Sequence, residues 1–269
     1  MNTKVILVTG ATDGIGRQTA LELAGMGHKV LVHGRNKIKS KAAASYIREL
    51  SKNEKVEAVY ADFTDFKEIK SLAGTVMKQH ERLDVLVNNA GVFENEKVIL
   101  PNGLERTFMV NHMASFTLTL ELLDLLKATP GARIVNVSST AQSDSLDFGN
   151  LNGEKYYDPY NAYAVSKLEN VLFTYKLARN LTRKENVMVN CLQPGTISTK
   201  LLHSGWDKQG ASLHQGAQMC IYAAVSPKME NKTGLFLINR HPAKSSAISY
   251  HKKVQDQLWE ISMEIKNSL

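Results

Sequence analysis

The feature that most limits what this chain can become is an apolar run, Val5-Ile6-Leu7-Val8, that passes directly into Thr9-Gly10-Ala11-Thr12-Asp13-Gly14-Ile15-Gly16 and then into a segment with Ile15, Thr19 and Leu23 at helical spacing. A strand without alternating polar residues is buried on both faces, and a glycine turn leading from it into a helix opens a βα unit of a parallel sheet. Such a turn brings backbone N–H groups and the positive end of a helix together, an arrangement suited to a pyrophosphate. Gly10, Thr12, Asp13, Gly14, Ile15 and Gly16 are therefore the expected cradle for the phosphates of a dinucleotide. Asp13 carries a carboxylate toward that anion, so its side chain is expected to point away or to cap the helix.

Short runs rich in Val, Ile and Leu recur along the chain with helical patterns between them, at residues 4–8, 29–32, 56–61, 83–87, 133–137, 187–192 and 235–238. They predict an α/β fold, a doubly wound seven-stranded parallel sheet with helices on both faces. No repeat, low-complexity tract or linker interrupts the pattern, and 269 residues suit one α/β core, so residues 1–269 are read as a single domain. Two irregular segments, about 142–161 and 200–212, follow strands on the side where such sheets place ligands, and are expected to be substrate loops. Near the C-terminus, Val254, Leu258, Ile261 and Ile265 mark an amphipathic helix over about 247–266. Packing on its own subunit is the first reading, with a homodimer contact or a membrane surface as alternatives.

The net charge of +7 comes from 33 Lys and Arg scattered among 26 Asp and Glu without a basic run, which argues against nucleic acid and for anionic small ligands. Cys191 and Cys220 are too few for a disulfide framework and lack metal-ligand spacing, and His33 and His112 have no partner spacing either, so no metal is expected. Cys191 reads as a buried core thiol. No stretch approaches the roughly 20 apolar residues of a membrane span. The apolar run beginning at Val5 leaves no room for a cleavable leader, and a reducing, cytoplasmic setting is the expectation.

The second strand ends in His33-Gly34-Arg35-Asn36-Lys37, without the carboxylate that would accept hydrogen bonds from the ribose hydroxyls of NAD. Arg35 stands where its planar fork can meet a 2′-phosphate, assisted by Lys37 or Arg17, unless it is a solvated loop residue. Asp62-Phe63 closes the third strand, either as a partner for the adenine amine or as a surface turn. Farther on, NAYAVSKL places Tyr163 and Lys167 at i and i+4 on one helical face. A tyrosine titrates near ~10, so proton transfer near neutrality needs about three units, roughly 4 kcal/mol, which a neighbouring ammonium and a positive nicotinamide ring can supply. Ser138 and Ser139 end the fifth strand and bring a hydroxyl within reach of Tyr163. Trp206, between Gly205 and Gly210, reads either as a lid aromatic or as an exposed loop residue.

In order and spacing, TGATDGIG, the NNAG segment at Asn88–Gly91, Asn111, VNVSS, YAVSK and Pro194-Gly195 resemble the short-chain dehydrogenases/reductases over nearly the whole chain. The stretch SDSLDFGNLNGEKYYDPYNAYAVSKLENVLFT and the tail elements TGLF and QLWEIS are similar to the subgroup of retinol dehydrogenases and the WW-domain-containing oxidoreductase. The resemblance implies a Rossmann fold, NADP(H) as cofactor, and hydride transfer with a small carbonyl or alcohol substrate of lipophilic character. It implies that Tyr163 is the general acid/base, that Ser139 rather than Ser138 bonds the substrate oxygen, and that Lys167 holds the nicotinamide ribose and lowers the Tyr163 pKa. Asn111 would anchor a water linking Lys167 to solvent. Asn89, Ala90 and Gly91 would lie beside the adenosine, and Pro194, Gly195, Thr196 and Ile197 would frame the nicotinamide. The apolar N-terminal anchor of membrane-bound retinol dehydrogenases has no counterpart ahead of the first strand. A nucleotide-sugar epimerase would call for T-G-x-x-G-x-x-G and a longer C-terminal substrate domain. A catalytically silent NADP(H)-binding sensor or scaffold would tolerate loss of Ser139, Tyr163 or Lys167, all of which are present.

Overall fold

A computed structural model describes residues 3–181, 184–206 and 208–268. One sheet runs in the order β3-β2-β1-β4-β5-β6-β7-β8, built from β1 (Val5–Val8), β2 (Lys29–Gly34), β3 (Val56–Tyr60), β4 (Val85–Asn88), β5 (Arg133–Val137), β6 (Met188–Leu192), β7 (Phe236–Ile238) and β8 (His241–Ala243). The first seven pair in parallel and β8 pairs antiparallel with β7. From β1 the chain builds outward through β2 and β3, then returns to lay β4 on the other side of β1. That reversal leaves a crevice at the carboxyl ends of β1 and β4, where open α/β sheets hold their ligands.

Alternate residues of the strands feed two cores. Leu7, Leu31, Leu86, Ile134 and Val189 face Ile69 of α3 (Phe66–Gln79), Phe116 of α5 (Ala114–Glu121) and Phe173 of α7 (Pro159–Asn180). Ile6, Val30, Val85 and Val135 face Leu23 of α1 (Gly14–Gly25), Ile47 of α2 (Lys37–Ser51) and Ile221 of α9 (Leu213–Val225). Helices thus cover both faces, which is why the central strands read as continuous apolar runs. On the edge, β3 leaves Tyr60 exposed and Glu57 half-buried, as a strand with one free side does.

The expected seven strands become eight. Asn239 and Arg240, with φ of +49° and +66°, form a two-residue turn that folds β8 back on β7. A three-residue strand centred on Pro242 carries no recognisable strand pattern, and proline is tolerated there because β8 is the outer edge. The irregular segment after β5 ends at Asp158, whose side chain accepts from Asn161 N (2.6 Å) to start α7 with Pro159 in its first turn. The second expected loop contains a short helix, α8 (Lys200–Gly205), capped by Thr199.

The C-terminal helix, α10 (Lys252–Ser268), starts later than expected because a 3₁₀ turn occupies Ala247–Tyr250. It packs on its own chain. Leu258 is buried against Leu168 and Leu172 of α7, and Trp259 lies against Phe116 and Phe173 at 5.1 and 6.1 Å. Around these contacts, Ser262 Oγ meets His112 Nε2 at 2.8 Å, and Lys176–Asp256 and Lys266–Glu121 pair at 2.7 Å. Among the described residues no helix is long and apolar enough to cross a membrane. Leu258→Ala should therefore lower the unfolding free energy by about 2–5 kcal/mol in urea titrations, the range for emptying a buried leucine site. A loss below about 1 kcal/mol would mean that α10 is only loosely attached.

Candidate active site

The glycine turn is shaped by how closely it approaches the end of β4. Gly10 has φ +62°, and a Cβ there would lie 2.8 Å from Ala90 Cα; at Gly16 it would lie 2.4 Å from both Asn89 Nδ2 and Gly10 O. Only glycine fits either place. The approach is fixed by hydrogen bonds: Asn89 N and Ala90 N both donate to Thr9 Oγ1 (2.9 and 3.0 Å), and Asn89 Nδ2 donates to Thr9 O (2.8 Å). Asp13 caps α1, with Oδ1 accepting from Gly14 N (2.9 Å), while Oδ2 meets Lys200 Nζ at 2.6 Å and Arg17 stands 3.7 Å away. The Lys200 hydrogen bond, with the cap and Arg17, holds the Asp13 carboxyl below the usual carboxylate range.

His33, which showed no metal spacing, is a clamp under this turn. Its Nδ1 accepts from Gly10 N (3.2 Å), so Nε2 carries the proton and donates to Ala61 O (3.1 Å), and its ring stacks on Phe63 at 4.3 Å. Burial pushes the imidazole down to about 4 and keeps it neutral. Arg35 is exposed on the same cleft and has no ion pair or hydrogen bond within the described residues. The two cations considered as its helpers are turned elsewhere: Lys37 lies over Tyr60 at 5.5 Å and Arg17 over Tyr46 at 5.4 Å. Asp62 Oδ1 accepts from Thr64 N (3.0 Å) and Thr64 Oγ1 (2.8 Å), a turn at the rim of the cleft.

At the other end of a cleft of about 700 Å³, α7 places Tyr163 and Lys167 one turn apart, both buried. Lys167 Nζ lies 5.2 Å from the Tyr163 ring and donates to Val137 O at 3.3 Å. Desolvation pulls the Lys167 ammonium down to about 8. It also pushes Tyr163 up to about 12, against a hydrogen bond from Ser139 that works the other way. Burial is the larger of these two effects on the phenol. The two serines differ in placement: Ser138 is buried with its Oγ donating to Lys167 O (2.7 Å), whereas half-buried Ser139 faces Tyr163.

Asn111 sits in a π turn, Met109–Met113, between α4 (Arg106–Phe108) and α5. Its Oδ1 accepts from Val92 N (2.7 Å) and its Nδ2 donates to Val92 O (3.0 Å) and Ser166 Oγ (2.9 Å). The π turn widens the ladder, with Ala114 N reaching Met109 O, and no pattern in the sequence announces it. Gly91 faces Asn111 and Lys167, while Pro194, Gly195 and Ile197 line the cleft opposite. Trp206 is half-buried, its ring 5.3 Å from Tyr163, 5.0 Å from Phe93 and 6.0 Å from Tyr160. Trp206 is thus packed among aromatic rings rather than exposed; Phe93 and Lys200 carried no signal in the sequence.

The short chain dehydrogenase family model matches residues 4–210. The chain belongs to the short chain dehydrogenase family. All of the candidate residues, from Gly10 to Ile197, fall inside the matched span. This short chain dehydrogenase is similar to the polyprenol dehydrogenase of Homo sapiens, at 38% identity over 99% of this chain and 86% of the relative. It is similar also to retinol dehydrogenase 13 of Mus musculus, at 37% identity over 97% and 83%. Among solved structures, an uncharacterized protein from Mycobacterium paratuberculosis superposes with a TM-score of 0.82 at 28% identity, covering 98% of this chain and 93% of that one. A short chain dehydrogenase from Escherichia coli complexed with NADPH gives 0.72 at 26% identity, covering 88% and 96%.

Folded His33 remains neutral to about pH 4, whereas an unfolded histidine takes up its proton near 6.5. Between these values the unfolded state binds more protons, so stability falls as the pH is lowered. Buried His112, held at about 3, adds to the same slope. In urea titrations between pH 6.5 and 4.5, His33→Gln should make the loss shallower by up to about 1.4 kcal/mol per pH unit. Identical slopes for variant and wild type would show that His33 does not set the pH dependence of stability.

Proposed function

We propose that the protein is an NADP(H)-dependent oxidoreductase that interconverts a lipophilic carbonyl and its alcohol in the cytoplasm. The observation that carries this reading is the joint placement of Tyr163, Ser139 and Lys167 at one end of a single cleft, with an unpaired Arg35 at the other. The cradle fits a dinucleotide: Gly10 and Gly16 let the turn close tightly on the end of β4, and α1 aims its N-terminus into the cleft that the turn lines. When bound, the nicotinamide supplies or accepts the hydride.

The chain's own groups handle the rest. Ser139 orients the substrate oxygen next to the Tyr163 hydroxyl. Tyr163, protonated well above neutrality by its burial, is ready to donate to a carbonyl oxygen that gains negative charge during reduction. Lys167 would hold the nicotinamide ribose, and Asn111, bound to Val92 and Ser166, braces the loop that faces Lys167. Trp206 and Tyr160 give the substrate end an aromatic wall, which supports an apolar substrate. The similarity to enzymes named polyprenol and retinol dehydrogenases supports the same class. Pro194, Gly195 and Ile197, which line the cleft, would frame the nicotinamide, and Asn89, Ala90, Gly91, Asp62 and Phe63 would flank the adenosine.

Tyr163→Phe should lower kcat at least about 100-fold, the usual contribution of a positioned acid, while leaving cofactor Kd within about twofold. More than a tenth of wild-type turnover would exclude the role. Wild type should prefer NADPH to NADH by about ten- to a hundredfold in kcat/KM at fixed ionic strength, since each charge-assisted bond to the 2′-phosphate contributes about 1.5–3 kcal/mol. Arg35→Asp should reduce or reverse that ratio; an unchanged ratio would leave Arg35 a solvated loop residue.

A further inference from the structure

Asp13 creates a conflict in the turn. Its carboxylate caps the helix whose N-terminus would receive a diphosphate, so two like charges would share one end of the cleft. The structure shows what offsets it. Lys200 Nζ lies 2.6 Å from Asp13 Oδ2, although the Lys200 side chain is 91% exposed and packing does not hold it there. Arg17 is farther from the carboxylate, at 3.7 Å, and is engaged with the Tyr46 ring. The pairing also joins two parts of the molecule 187 positions apart in sequence, because Lys200 opens α8. Thr199, which caps α8 through Leu202 N (3.1 Å), stands 3.6 Å from where a Gly14 Cβ would be. At the far end of α8, Gly205 abuts the Phe93 ring, and Trp206 follows directly, packed on Tyr163.

We propose that Lys200 is a cofactor-positioning residue that neutralises Asp13, makes the glycine turn able to hold a diphosphate, and couples that turn through α8 to Trp206 over Tyr163. The inference rests on the dinucleotide reading above but not on the choice between NAD and NADP, since both carry the diphosphate. Its consequence is that filling the nucleotide end of the cleft changes the surroundings of Trp206 at the substrate end.

The test is a double-mutant cycle in a Trp259→Phe background, which leaves Trp206 as the only tryptophan. NADP⁺ and NAD⁺ are titrated by calorimetry, and Trp206 emission is read at saturation. Lys200→Met should raise Kd for both nucleotides about three- to tenfold and diminish the nucleotide-induced change in Trp206 emission, and Lys200→Arg should restore both. Asp13→Asn keeps a capping side chain, and in that background Lys200→Met should change Kd by less than about twofold. An unchanged Kd in Lys200→Met, or the same loss in both backgrounds, would overturn the neutralising role. An unchanged emission response would overturn the coupling to Trp206. Absence of binding of either nucleotide to the parent protein would instead overturn the dinucleotide reading itself.

Discussion

The arrangement rests on the contact between the carboxyl ends of β1 and β4, where the Thr9 hydroxyl accepts from Asn89 N and Ala90 N and the Asn89 side chain returns a hydrogen bond to Thr9 O. These bonds close the point at which the sheet reverses its order, and they do so at a distance that excludes any side chain at Gly10 or Gly16. Everything above that point follows from it. With the turn pinned to β4, the N-terminus of α1 looks into the crevice rather than into the sheet, and His33 supports the turn from β2 as a neutral, stacked ring. A charged imidazole there would lose the bond it accepts from Gly10 N, which is why its burial belongs to the site and not only to the core.

The chemical end is positioned by a different means. A buried polar series, Thr119 to Asn88, Asn88 to Asn136, and Asn136 to Thr174, runs from α5 through β4 and β5 to α7 with distances of 2.8–2.9 Å. Ser138 adds a bond to Lys167 O and Lys167 one to Val137 O, so α7 is held in register with β5 at Lys167 and again farther along at Thr174. Such a network specifies one placement of a helix more sharply than apolar packing alone. The packing is nonetheless present: Leu258 and Trp259 of α10 press on the outer side of α7 and its neighbours. The same enclosure sets the electrostatics, raising the phenol of Tyr163 and lowering the ammonium of Lys167 by desolvation.

Much of this was legible in the sequence because it rests on local signals. The glycine turn, the apolar strands and the one-turn spacing of Tyr163 and Lys167 each follow from a periodicity or a steric requirement that a few adjacent residues carry. What was not legible depends on residues brought together across the chain. The π turn at Asn111 has no sequence signature, β8 hides behind Pro242, and the pairing of Asp13 with Lys200 is a contact between distant segments. The depth at which Tyr163 and Lys167 are both buried was not legible either, since the i and i+4 relation gives proximity but not burial. Lys37 and Arg17, plausible helpers of Arg35 by position, instead lie on aromatic faces that only the fold reveals.

On the proposed function, this cleft moves a hydride between a nicotinamide and a lipophilic carbonyl. The most direct measurement is mass spectrometry of the alcohol formed when the protein is incubated with NADPH deuterated at the nicotinamide C4, on either face, and a panel holding all-trans-retinal, an isoprenoid aldehyde and a steroid ketone. The expected product is an alcohol one mass unit heavier, labelled at the former carbonyl carbon, from one face of the nicotinamide only. Alcohol formed without label from either face, or no oxidation of NADPH with any member of the panel, would contradict it.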